Sequence, residues 1–197
     1  MEPRDWEKLY SEDAVEKMPW YFEAIDPDLE GALKSLALTS GTCLDLCTGP
    51  GTQAFALAGL GFSVTAADIS GSAIKTAARK AAQMGLEIEF VQNDILDSAL
   101  EREFDFVFDR GCFHTLSPEY RESYFDSISG LVKRGGYLFL KCFSHLETMK
   151  EGPYRFSPDE IKGYFSPAFE VLSIKDTVYH GTMTPLPKAL FAVMRRR

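Results

Sequence analysis

Three carboxylates carry the chemistry most visible in this chain: Asp45, Asp68 and Asp94 each close an apolar run, and Gly49 and Gly51 follow the first of them. The stretch Leu44-Asp45-Leu46-Cys47-Thr48-Gly49-Pro50-Gly51-Thr52 reads as a strand end, a glycine turn and a helix start. With no side chain at 49 and 51 the backbone turns tightly and a ligand reaches it, as in nucleotide-holding turns at helix N-termini. Cys47 and Thr48 fall within that turn and share its ligand. Gly49-x-Gly51-x-x-Ala54 also fits the looser form of the dinucleotide fingerprint. The bland alternative is a glycine turn joining any parallel strand to its helix. Asp45 separates the two ligand readings, because an anion at that strand end repels phosphates and favours a cationic group.

Asp68 closes the second apolar run, where a carboxylate accepts both hydroxyls of a ribose. Ile69 then offers an apolar face to an adenine ring. Asn93-Asp94-Ile95 closes the third run, and a carboxylate there can take a hydrogen bond from an adenine amine. Asn and Asp at a strand end also serve simply to turn the chain.

The elements that must hold these groups alternate. Pro27 and Asp28 open a helix running to Leu38, and Thr52 to Leu60 is a second. Gly61 to Asp68 is a strand. Ser70 caps a helix whose apolar positions Ile74, Ala77, Ala81 and Met84 recur at helical spacing before Gly85 stops it. Glu87 to Gln92 and Phe104 to Asp109 are strands. Ser117-Pro118 opens the next helix, with Phe125, Ile128, Leu131 and Val132 inward and Gly135-Gly136 at its end. Tyr137 to Phe143 is a strand apolar enough to be buried on both faces. Ser157-Pro158-Asp159-Glu160 is a capping box. Phe169 to Tyr179 and Lys188 to Met194 close the chain as two strands with no helix between them, hence an antiparallel edge hairpin. The fold class is therefore α/β: a Rossmann-like, doubly wound, seven-stranded and mostly parallel sheet with an antiparallel edge hairpin.

A length of 197 residues suits one domain, with residues 1–40 as an N-terminal aromatic flap and helix and 41–197 as the core. The flap carries Trp6, Tyr10 and Trp20, which either pack as core or cover a ligand. A formal charge of −8 offers no track for a polyanion, so no nucleic-acid partner is expected. No long apolar run or secretory signal is evident, which points to a cytoplasmic protein with no membrane partner. The four cysteines form no Cys-x-x-Cys pair, and no metal is expected.

From Asp45 to Met194 this order resembles the seven-stranded class I S-adenosylmethionine-dependent methyltransferases. Asp109-Arg110-Gly111 after the fourth strand, the tryptophan-bearing flap and the Lys-Ala-x-Phe-Ala-Val ending resemble the thiopurine S-methyltransferase family and its tellurite- and thiol-methylating relatives. The resemblance implies S-adenosylmethionine as cofactor, held by Gly49, Gly51, Asp68, Ile69, Asp94 and Ile95, with Asn93 beside them and Trp20 and Arg110 near its carboxylate. Arg110 as a structural ion pair is the other reading. No Asn/Asp-Pro-Pro-Tyr run follows the fourth strand, which favours a small-molecule methyl acceptor, such as a thiol, a thiopurine or a related soft nucleophile. Phe113 and His114 would face that acceptor, with His114 as the candidate proton acceptor. A dinucleotide-dependent oxidoreductase and a non-catalytic binding module are the alternatives. The protein is expected to be a monomer or a small homo-oligomer.

Overall fold

The computed structural model describes residues 5–197; residues 1–4 of the expected flap lie outside the described residues. One sheet runs through the molecule in the order β3-β2-β1-β4-β5-β8-β7, where β1 is Thr42–Leu46, β2 Ser63–Asp68, β3 Glu89–Gln92, β4 Phe104–Arg110, β5 Val132–Ser144, β7 Phe169–Val178 and β8 Lys188–Arg196. Strands β1 to β5 are parallel, and β8 lies antiparallel between β5 and β7. The closing pair is thus the expected hairpin. A two-residue strand, β6 (Arg155–Phe156), pairs with β5 off this path, one more than the seven strands expected.

Alternation along the strands sorts the core into two layers. Cys43, Phe106, Phe108 and Phe139 turn to one face, where Leu29 and Leu33 of α2 (Pro27–Ser35) and Leu57 of α3 (Thr52–Gly59) cover them. Leu44, Val107, Leu138 and Leu140 turn to the other, against Tyr124 and Ile128 of α5 (Arg121–Leu131) and Phe165 of α6 (Pro158–Phe165). The sheet reverses direction of growth between β1 and β4, the switch point at which open α/β sheets bind ligands.

Several boundaries differ from the sequence reading. α2 is capped by Asp26, whose side chain accepts from the Asp28 amide, and Pro27 is its first residue. α4 (Gly71–Gln83) buries Ala73, Ala77 and Ala81, while Met84 is 54% exposed beyond its end. α5 begins at Arg121, after a single 3-10 turn over Pro118–Tyr120. It passes straight into β5, so Gly135-Gly136 does not end a helix but lies inside a strand, next to the irregular pairing of β4 with β5. Gly136 is needed there because a Cβ would lie 2.7 Å from the Asp105 carbonyl oxygen. The Ser157 capping box of α6 forms as read, with the Glu160 carboxylate accepting from the Ser157 amide.

Candidate active site

The turn after β1 is built on three consecutive-but-one positive φ angles: 53° at Cys47, 49° at Gly49 and 80° at Gly51. Asp45 fixes it from beneath, accepting from the Thr48 hydroxyl (2.5 Å) and the Ala54 amide (3.1 Å). The Thr48 amide donates to the Ala67 carbonyl of β2. Asp68 ties this turn to the next: one carboxylate oxygen accepts from the Gly49 amide (2.8 Å), the other from the Ser70 amide (2.9 Å). Each oxygen retains a further lone pair. Ile69, 44% exposed, presents an open apolar surface beside it.

No cation meets these acids directly. Burial pushes the Asp45 carboxyl up to about 7, although the hydrogen bonds from Thr48 and Ala54 pull the other way. Burial raises Asp68 as well, against the Ser70 and Gly49 amides. Asp109 is fully buried and raised for the same reason; it accepts from the amides of Gly111, Cys112 and Phe113 and from the Tyr124 hydroxyl (2.6 Å), which folds the Arg110-Gly111-Cys112 loop back over the β4 tip.

The flap lies on this turn. In α1 (Trp6–Glu12), Glu7 accepts from the Ser70 and Ser72 hydroxyls and the Ser72 amide at the start of α4. The Ser72 and Ser70 hydrogen bonds hold its carboxyl down at about 2. The Tyr10 hydroxyl reaches Gly49 so closely that a Cβ there would collide with it. Trp20 donates its indole N–H to that hydroxyl at 3.2 Å, and its ring packs edge-on against Trp6 and Tyr10. Trp20 also packs against Phe143 and Tyr179, so it bridges the glycine turn and the β5–β7 side. Glu7 left no signal in the sequence beyond being an acid in a first turn.

The other expected ligands make their protein contacts away from the glycine turn. Arg110 does not reach toward the glycine turn: it donates to Asp26 (3.0 Å) and to the carbonyls of Trp20 and His180, under the Tyr179 ring at 4.6 Å. Its partner Asp26 is shared with the fully buried Lys141 of β5 (2.7 Å), which also pairs with Asp28. Arg110 is therefore the structural ion pair, clamping the flap to β4. Asn93 spends its side chain on Ser98 and the Ala99 amide. Asp94 caps the turn that follows, accepting from the Leu96 amide. Ile95 is buried in the core rather than open to a ring.

Phe113 is likewise core, fully buried among Tyr124, Phe156, Tyr164 and Phe165, and does not face an acceptor. His114 lies nearer, stacked on Tyr179 and edge-on to Phe143. Its Nδ1 accepts from the Phe143 amide at 3.1 Å. That bond uses the one lone pair of a neutral imidazole and leaves the proton on Nε2. Burial, with Arg110 nearby, pushes its pKa down to about 3. With Nδ1 accepting from the Phe143 amide, the His114 ring is placed to donate a hydrogen bond from Nε2. Among the described residues no group of three or more His, Cys, Asp or Glu side chains is placed to hold a metal.

The site brings together Cys47, Thr48, Gly49, Gly51, Asp68 and Ile69 under Tyr10 and Trp20. Comparison with known proteins gives this arrangement its class. A family profile for thiopurine S-methyltransferase (TPMT) matches residues 1–182. An uncharacterized methyltransferase of Schizosaccharomyces pombe is 34% identical over 102 residues, which is 51% of this chain and 70% of that protein. Thiocyanate methyltransferase 1 of Brassica oleracea is 26% identical over 91% of this chain and 79% of its own. A solved structure from work on the conversion of a disulfide bond into a thioacetal group during echinomycin biosynthesis superposes with a TM-score of 0.83 at 26% identity, covering 97% of this chain and 90% of that one. The chain belongs to the thiopurine S-methyltransferase family and is an S-adenosylmethionine-dependent methyltransferase, which decides against the dinucleotide reading.

Proposed function

We propose that this methyltransferase acts on a small, soft nucleophile that arrives already ionised, such as a thiol, a thiopurine or a related sulfur anion. The observation that carries this reading is that the two titratable side chains at the end of β4 and in the loop after it, Asp109 and His114, are both taken up by hydrogen bonds from the chain. His114 has its only lone pair engaged by the Phe143 amide, and Asp109 accepts four hydrogen bonds in full burial. Asp45 lies beneath the turn, 2% exposed. An alcohol or phenol needs its proton removed; a thiolate needs only alignment. The Brassica relative, named for thiocyanate, agrees with a soft anionic acceptor.

The residues present fit the cofactor: a close-approach turn at Gly49 and two acids, Asp45 and Asp68, held only by neutral donors favour a cationic, ribose-bearing molecule. When bound, S-adenosylmethionine supplies a methyl group on a sulfonium. In this reading Asp68 accepts the ribose hydroxyls, the turn from Cys47 to Gly51 lies under the methionyl part, and Ile69 supports the adenine. Trp20, Tyr179 and Phe143 wall off water beside it. The His114 Nε2–H donates to the incoming anion and fixes its direction of approach.

The test is an acceptor panel at equal cofactor saturation, read as demethylated cofactor released. Thiols and thiopurines should turn over, with a pH–rate profile that follows each acceptor's own pKa. Comparable turnover of phenols or amines, with one enzyme pKa common to all acceptors, would refute the reading.

A further inference from the structure

We propose that Glu7 is a positioning residue of the cofactor's ribose site: through Ser70 it sets the orientation of Asp68, which makes the N-terminal helix a working part of that site. The inference deepens the reading of Asp68 as the acid that accepts the ribose hydroxyls, and rests on it. Two amides hold Asp68, that of Gly49 on one carboxylate oxygen (2.8 Å) and that of Ser70 on the other (2.9 Å). α1 reaches both of these donor residues. Glu7 and Tyr10 stand three positions apart in it and so share a face. Tyr10 closes over Gly49, and Glu7 accepts from the Ser70 hydroxyl at 2.7 Å.

Ser70 is fully buried, and its hydroxyl is engaged on both sides: it accepts from the Ala73 amide (3.1 Å) as the cap of α4 and donates to Glu7. A hydroxyl that ends on a carboxylate makes a charge-assisted bond, stronger than one between neutral groups. The same carboxylate takes the Ser72 amide (3.1 Å) and hydroxyl (2.6 Å), so three donors from the start of α4 converge on it. With the Ser70 side chain fixed at both ends, its amide is fixed too, and with it the plane of the Asp68 carboxylate. That plane matters, because one carboxylate serves two neighbouring hydroxyls only while each oxygen turns its remaining lone pair to its own hydroxyl. Charge is not the means: burial, and to a lesser degree the Glu7 charge itself, raise Asp68. Glu7 contributes an acceptor oxygen at a fixed place.

Calorimetry on the full chain compares S-adenosylhomocysteine with its 2′-deoxy analogue, which lacks one of the two hydroxyls. Wild type should hold the parent compound about tenfold more tightly, the worth of one hydrogen bond to a charged group. Glu7→Ala should bring that ratio below about threefold by weakening the parent compound alone. Glu7→Gln, which keeps an oxygen facing Ser70, should retain the wild-type ratio. So should Ser72→Ala, which loosens the tether of α1 and leaves the Ser70 bond in place. Glu7→Ser serves the same arm if the alanine variant does not fold. A wild-type ratio that survives the loss of Glu7, or that Ser72→Ala lowers equally, reduces Glu7 to a tether and overturns the proposal with Asp68 still in its role. A wild-type chain indifferent to the missing hydroxyl removes Asp68 from the ribose, and both readings fall together.

Discussion

Two groups of buried acids sit on the same edge of the sheet and are treated in opposite ways. Asp26 and Asp28 meet cations: Lys141 and Arg110 on the first, Lys141 and Lys175 on the second. Burial alone would raise Asp28, but the hydrogen bonds from Lys141 and Lys175 bring it down to about 2. Asp45, Asp68 and Asp109 are also buried but meet only hydroxyls and amides, and all three are raised. The first group is electrostatically complete and holds the flap on the core. The second is held by neutral donors alone, which is the state the proposed reading asks of Asp68. The comparison separates acids neutralised by cations from acids that are not, a distinction that counting carboxylates does not make.

The largest effect should come from the complete group. Lys141→Met leaves Asp26 and Asp28 buried with one cation fewer, a loss of about 3–5 kcal/mol, seen as a large drop in the urea midpoint. An unchanged midpoint would mean that the cluster is not the clamp described. Next, Asp68→Asn should leave the fold intact but weaken S-adenosylmethionine by roughly 10- to 100-fold, the range for one charged hydrogen-bonding group; calorimetric affinity within twofold of wild type would remove Asp68 from the site.

A smaller effect concerns pH. Asp45 has its folded pKa raised to about 7 from an ordinary value of 3.8, so the native state holds a proton that the unfolded chain releases across that window. Stability should therefore fall as pH rises from about 4 to 7, and Asp45→Asn should flatten that part of the denaturation profile. His114 works in the other direction. With its folded pKa at about 3 against 6.5, the unfolded chain takes up a proton that the native state refuses, and stability falls as pH drops below 6.5. His114→Asn should reduce that acid-side loss. At neutral pH it should cost about 1 kcal/mol for the altered Phe143 hydrogen bond, and thiol methylation should slow only a few-fold; complete loss of activity with an intact fold would point to His114 as a proton acceptor.

Much of the fold was legible because its signals are local. Apolar runs closed by polar residues located most strands, the Ser70 and Ser157 caps located two helices, and the lack of a helix before Lys188 announced the hairpin. The glycine turn and Asp68 were legible for the same reason. Gly135-Gly136 misled because two glycines stop a helix and permit a strand irregularity equally well, and only the close Asp105 carbonyl decides between them. The surroundings of Ile95, Phe113 and Arg110 were not legible, because a residue just past a strand tip turns outward or into the core according to what packs behind it. For Arg110 the deciding partner, Asp26, lies in the flap, far away in sequence. Glu7 was invisible because its partners, Ser70 and Ser72, are ordinary helix-start residues until α1 is laid over them.

Tyr10 closes over Gly49 while Glu7 ties α1 to the first turn of α4, so the N-terminal helix is joined to both turns that follow β1 and β2. A guest seated on the glycine turn as proposed would share that backbone with α1.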